Sequence, residues 1–397
     1  MDTRTAQQTA STTALSAAQI ADVLSIPRIS TGFKTLDRCT MGGLYPGLTL
    51  IASCEGTGKS TLRSQLTAEA LDQGHRVWMY SGEMSDESEK LILYRQLAGR
   101  DGIVESRTAS GATFASLTPT TVKLIDRWIG DRVQSYSGRP AWKQIMKSMT
   151  DAAETGTDVF IVDNLMTLVS AIIQEGVTRD EYSAQGVIAT ELADFAKSRG
   201  VWVWLVAHTR KEGLTAPSNY NDMISGNSAV KNLASIVIFY NQPTDTEIEK
   251  NSKYDDDAYD ARGKRKPDAE PVSQYITKDD RILRITKNRL PYCRTELGGI
   301  IMRYDRLTGR IYEDFGDYEQ VYGWQDDMSE EEQCIIWYEQ TENITITSSV
   351  RAAGRDERKE RQKARKARRQ DRRDRLPEIY NGRGGIANRY EQLIANI

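Results

Sequence analysis

The stretch that most constrains this chain is Ser53-Cys54-Glu55-Gly56-Thr57-Gly58-Lys59-Ser60-Thr61, set between the apolar run Leu48-Thr49-Leu50-Ile51-Ala52 and a helical pattern. A strand that delivers a glycine-bearing loop into a helix N-terminus is the arrangement of a phosphate-binding P-loop. Gly56 and Gly58 let backbone N–H groups turn onto phosphate oxygens. Lys59 is spaced to reach the β- and γ-phosphates, Ser60 to offer its hydroxyl to Mg²⁺, and Ser53, Thr57 and Thr61 complete the cradle. Ser53 stands where the first glycine of the pattern usually falls. The chain is therefore expected to bind a nucleoside triphosphate.

Around this loop, apolar β-branched runs alternate with helical patterns. Leu48–Ser53, Arg76–Ser81, Asp158–Asp163, Val201–His208, Ser235–Tyr240 and Arg281–Lys287 read as strands. Such alternation predicts βαβ units, hence an α/β fold with a mostly parallel sheet flanked by helices. Gly74 follows the helical pattern Lys59 to Asp72 as a C-terminal stop. Ile300–Tyr304 and Arg310–Glu313 read as a C-terminal hairpin across Asp305 to Gly309. The core is expected over 29–313. A leader, 1–28, carries a short apolar helix, Leu15 to Leu24, stopped by Pro27, and 244–280, rich in Asp, Lys, Pro and Ser, reads as a mobile insertion.

The remaining segment, 314–397, changes character twice. Glu313 to Glu332 holds nine acidic residues and no Lys or Arg. Arg351 to Arg375 holds 13 Lys/Arg against 5 Asp/Glu, a balance of +8, so the net −3 leaves −11 elsewhere. An acidic body with a basic arm suits a nucleic-acid-associated protein whose cationic charge is confined to one surface. The arm is too charge-dense for a core and is expected to be helical or disordered, contacting phosphate backbones. No apolar run approaches the ~20 residues that span a bilayer, so the expected location is cytoplasmic, in a host cell if phage-encoded, with no membrane partner. Four scattered cysteines and two histidines lack metal-ligand spacing and argue against a zinc site or a disulfide framework.

Two carboxylates fall where triphosphate chemistry needs them. Asp163 ends Val159-Phe160-Ile161-Val162, a position from which it can orient Mg²⁺-bound water. Glu83, in Tyr80-Ser81-Gly82-Glu83-Met84, ends the strand after the P-loop helix and can act as general base toward water. Here the chain resembles the superfamily 4 hexameric replicative DNA helicases, DnaB-type and Twinkle-type, whose catalytic glutamate holds this strand-end position. The resemblance spans about 29–313.

Later blocks extend the resemblance in order. His208, in Val206-Ala207-His208-Thr209, matches the γ-phosphate sensor. Asp222 to Asn232 is similar to the DNA-binding loop and following helix, implying contacts from Ser225, Gly226, Asn227, Ser228 and Lys231. Met223, Ile224 and Ser225 occupy the place where members often carry an arginine. Lys287-Asn288-Arg289 matches the basic pair whose arginine reaches a neighbour's γ-phosphate, with Lys287 as companion cation. Tyr304 resembles the aromatic on which the nucleotide base stacks in the phage branch, and Tyr240 stands where that branch has an arginine.

The resemblance thus implies a RecA-like P-loop core, ATP or a dNTP with Mg²⁺, and an NTP-driven ring helicase that translocates on single-stranded DNA and unwinds duplex. A finger supplied by the neighbour implies a homo-oligomer closed into a ring, a hexamer. Only about 28 residues precede the core, so a separate primase or polymerase is an expected partner. The alternatives are another RecA-like DNA-dependent ATPase, recombinase or KaiC-like, and a nonmotor ATP-binding loader or scaffold.

Overall fold

The computed structural model describes residues 25–107, 113–209, 228–255, 258, 265–266, 271–291, 293–313, 320–326 and 328–341. The leader through residue 24, residues 210–227, most of 256–270 and the basic run lie outside these described residues.

Thirteen strands are described: β1 (Gly47–Ser53), β2 (Val77–Ser81), β3 (Ile103–Arg107), β4 (Thr113–Leu117), β5 (Val133–Ser135), β6 (Val159–Asp163), β7 (Trp202–His208), β8 (Ile236–Asn241), β9 (Ser252–Lys253), β10 (Ser273–Gln274), β11 (Arg281–Asn288), β12 (Glu296–Asp305) and β13 (Arg310–Glu313). Nine form one sheet in the order β13-β12-β11-β8-β1-β7-β6-β2-β5. From β8 to β5 the strands run parallel, and β11, β12 and β13 add an antiparallel edge. The expected α/β class and mostly parallel sheet are found, as is the hairpin β12–β13.

The central strands are apolar on both faces because helices cover both. One face packs on the helices Lys59–Asp72, Asp86–Ala98 and Pro119–Ile129, and the other on Trp142–Glu154, Leu165–Gln174 and Glu181–Arg199. The P-loop helix ends at Asp72, with Gly74 just beyond it at φ 91°.

Two departures from the sequence reading concern boundaries. The core does not stop at 313: Tyr322 and Trp324 are fully buried against the P-loop-side helices, and helix Glu330–Thr341 inserts Ile336 into the same cluster. Arg310 accounts for this, donating to the carbonyls of Gln96, Leu97 and Gln320 and so stitching the segment after β13 onto helix Asp86–Ala98. Within 244–280, helix Asp245–Lys250 starts on a full capping box from Thr244 and Glu247, and β9 pairs with β10.

Candidate functional site: a P-loop at the strand ends

Four chemically important residues end four adjacent parallel strands. Register pairs Ser53 with His208 across β1 and β7, and Ser81 with Asp163 across β2 and β6. The P-loop, Glu83, Asp163 and His208 therefore share the side of the sheet at which the parallel strands have their carboxyl ends. β7 and β8 flank β1 in the strand order, and open α/β sheets bind ligands beyond the carboxyl ends of strands where the order switches in this way.

Gly58 has φ 93° at the helix N-cap, a left-handed conformation that a side chain would strain. Thr57 Oγ1 donates to Cys54 O at 2.7 Å, Cys54 N donates to Asn241 Oδ1 at 3.0 Å, and Arg281 Nε donates to Thr57 O at 2.7 Å. Neighbouring strands thus hold the loop open from behind. Lys59, 7% exposed, donates to Cys54 O and to His208 Nδ1, each at 3.1 Å. Burial pulls its ammonium below the ordinary lysine range, opposed by Asp163 and Glu83.

An ammonium only donates, so His208 Nδ1 accepts and the imidazole proton sits on Nε2, 3.1 Å from Glu83 Oε1. Asn164 Nδ2 donates to the same Oε1. Glu83 itself is half exposed on the turn between β2 and helix Asp86–Ala98, which Ser85 caps. Gly82 is required there: a Cβ would stand 2.6 Å from Thr167 Cβ.

Asp163 is buried, and burial pushes its carboxyl above the usual range, with the Arg63 guanidinium opposing the shift. Arg63, on the P-loop helix, stands 3.3 Å from Asp163 Oδ2 and pairs with Glu89. Asp163 Oδ1 is buried without a hydrogen-bond partner. An orphaned carboxylate oxygen at a strand end, on the same sheet as a P-loop whose helix carries the Ser60 hydroxyl, is a donor set that suits a hydrated divalent cation.

Lys287 and Arg289 are not part of this cluster. Arg289 N donates to Ser235 O, and Ser235 N to Leu48 O, which puts Arg289 level with the start of β1. The P-loop leaves the other end, five residues on, about 16 Å away at ~3.3 Å per residue. Lys287 Nζ donates to Lys231 O at 2.6 Å and Asn232 O at 2.7 Å, and Arg289 donates to Asn232 O, so both cations cap helix Ser228–Leu233. Ser228 and Lys231 lie on that helix, while Ser225, Gly226 and Asn227 fall outside the described residues. Tyr304 is 44% exposed on β12, and Tyr240 is buried behind Gly58, where a Cβ would stand 3.7 Å from its ring.

Sequence reasoning missed Arg63, Glu89, Asn164, Asn241 and Arg281. Only Asn164 left a signal, since an Asn between a strand and an apolar helical run is a capping residue.

A P-loop, a buried strand-end aspartate and a second acidic strand end on a sheet with β1 at its centre define a P-loop NTPase of RecA-like fold. Residues 29–214 match a family model described as an AAA domain. "DNA repair protein RadA" of Brucella abortus (strain 2308) is 30% identical over 210 residues, 52% of this chain and 38% of that protein. The same-named protein of Halalkalibacterium halodurans is 28% identical over 197 residues, 48% of this chain and 34% of its own length. The chain thus spans little more than a third of the curated relatives it matches. Among solved structures, a DnaB-like replicative helicase described with its interactions with primase aligns at TM-score 0.50 and 17% identity, covering 72% of this chain and 63% of that one. The fold is thus shared with the DnaB-like helicase, as the motif order implied. Among the described residues, no helix is long and apolar enough to cross a membrane.

Proposed function

We propose that this chain is an NTP-driven ring helicase subunit that uses ATP or a dNTP to move along single-stranded DNA and unwind duplex during replication. Lys59 and the amides of Ser53 to Thr61 bind the phosphates, Glu83 is the general base, and His208 senses the γ-phosphate. Ser60 Oγ and Asp163 Oδ1 are the groups that would hold Mg²⁺, which when bound neutralises charge on the phosphates. Tyr304 stacks on the base. Ser225, Gly226, Asn227, Ser228 and Lys231 contact single-stranded DNA, and a primase or polymerase works alongside.

The observation that carries this reading is the separation of Arg289 from its own P-loop. An arginine about 16 Å away along the sheet cannot serve its own triphosphate, whereas a head-to-tail neighbour can receive it, and repeating that heterologous contact closes a ring, here taken as a hexamer. The order of motifs through Tyr304 and the shared fold support a helicase.

The test is ATP turnover with and without single-stranded DNA, alongside strand displacement on a forked duplex. The reading expects stimulated turnover and displacement that stops when Lys59 is replaced by Ala. The RadA similarity favours a second reading, a RecA-like DNA-dependent ATPase of another kind. Stimulated turnover without displacement would favour it, and turnover indifferent to DNA would favour a loader or scaffold.

A further inference from the structure

Asn164 is fully buried at the junction of β6 and helix Leu165–Gln174, and its carboxamide faces two ways. Oδ1 accepts from Met166 N at 2.9 Å and Thr167 N at 3.2 Å, capping the helix. The opposite amide orientation would set its NH₂ against those two N–H donors, so the cap fixes which group points the other way. That group, Nδ2, donates to Glu83 Oε1 and stands 3.0 Å from His208 Nε2. Since Lys59 holds His208 Nδ1 as acceptor, the Nε2 proton is aimed at the same Glu83 oxygen. Two donors therefore converge on Oε1. Among the described residues none donates to Oε2, which is left for solvent.

We propose that Asn164 is the positioning residue of the hydrolytic site: anchored by the helix it caps, it holds Glu83 Oε1 so that Oε2 faces the attacking water, in partnership with His208. This rests on the reading of Glu83 as general base. Glu83 sits on an exposed turn and would otherwise sample several rotamers, and a misplacement of about 1 Å costs on the order of 10²-fold in rate. Asn suits the position better than Asp or Ser. Asp would cap equally well but set a second carboxylate against Glu83, and a Ser hydroxyl would cap but fall short of it.

The experiment compares Asn164→Asp, Asn164→Ser and Glu83→Gln in full-length protein, measuring triphosphate Kd, melting temperature and single-turnover hydrolysis from pH 5.5 to 9. Both Asn164 variants are expected to bind nucleotide within about threefold of the parent and to hydrolyse it about 10- to 100-fold more slowly. In N164D the acid limb of the rate profile moves to higher pH, because the added negative charge disfavours ionised Glu83. In N164S it stays in place. A purely structural residue would lower melting temperature and binding together and leave the limb unmoved. Should N164D fail to fold, the loss of rate without loss of binding in N164S carries the same test. If E83Q is inactive while N164D and N164S hydrolyse at the parental rate, the inference about Asn164 is overturned alone. If E83Q hydrolyses normally, the general-base reading fails and the inference with it.

Discussion

Replacing Arg63 with methionine would strip two buried carboxylates of the cation they share. Arg63, Glu89 and Asp163 are 1%, 5% and 3% exposed, and the guanidinium pairs with Glu89 and lies 3.3 Å from Asp163 Oδ2. Methionine keeps much of the apolar stem, so the change falls mainly on charge. Breaking a buried pair from one side costs ~3–5 kcal/mol, a large share of the ~5–15 kcal/mol that holds a typical domain together. The pH dependence has a definite sign. Burial already raises the Asp163 carboxyl above its usual range, and Arg63 is the largest opposing influence. Without it, the folded state keeps a proton that the unfolded chain releases at ~4, so the penalty is absent below that pH and grows as pH rises. Urea titrations of R63M should show the largest loss near pH 7.5 and a smaller one at pH 5. Adding Glu89→Gln should recover part of it, because one uncompensated charge is gone. A loss below ~1 kcal/mol, or one equal at both pH values, would refute this account of the cluster.

Lys59→Ala should abolish triphosphate binding, because its ammonium meets ground-state phosphates, whereas Glu83→Gln should bind and assemble but not hydrolyse. Equal loss of binding in the two, read by a fluorescent nucleotide, would contradict the division of roles. Burial, with help from Arg289, lowers the Lys287 ammonium to about 8 from an ordinary 10.5. The folded state then loses a proton that the unfolded chain retains between those values, so this group adds stability as pH rises through 8. Lys287→Met should flatten that rise in denaturation curves taken from pH 7.5 to 9.5, and an unchanged slope would reject the assignment.

The parts of the site that could be read in the sequence end strands, and the parts that could not are held by partners distant along the chain. Asp163 and Glu83 follow apolar runs, so their position at the carboxyl ends of β6 and β2 follows from the strands themselves. Arg63 lies in a helix whose pattern gives no sign that a guanidinium is buried there, and Glu89 sits in Ser85-Asp86-Glu87-Ser88-Glu89-Lys90, which reads as a solvated first turn. Their pairing exists only once helices Lys59–Asp72 and Asp86–Ala98 pack side by side. Arg281 reaches Thr57 across 224 positions, a contact no local pattern encodes. In the fold, β5 is three residues long, too short to mark itself by periodicity, and β3 and β4 pair only with each other, apart from the main sheet. Tyr322 and Trp324 lie in a run of acidic residues whose composition reads as solvated, although both side chains are buried in the core.

The central claim is that each hydrolytic site is completed by a neighbour's Arg289, and mixing two inactive variants tests it most directly. Arg289→Ala subunits retain Glu83 and their own P-loop, and Glu83→Gln subunits retain Arg289. Each should be inactive alone. In a mixed ring, an interface formed by Glu83 of one subunit and Arg289 of the next has both groups intact. ATPase activity measured across mixing ratios should therefore rise from near zero at both ends to a maximum near equal proportions. A mixture that stays inactive under conditions where rings exchange subunits, or an Arg289→Ala protein that hydrolyses at the parental rate, would contradict the account.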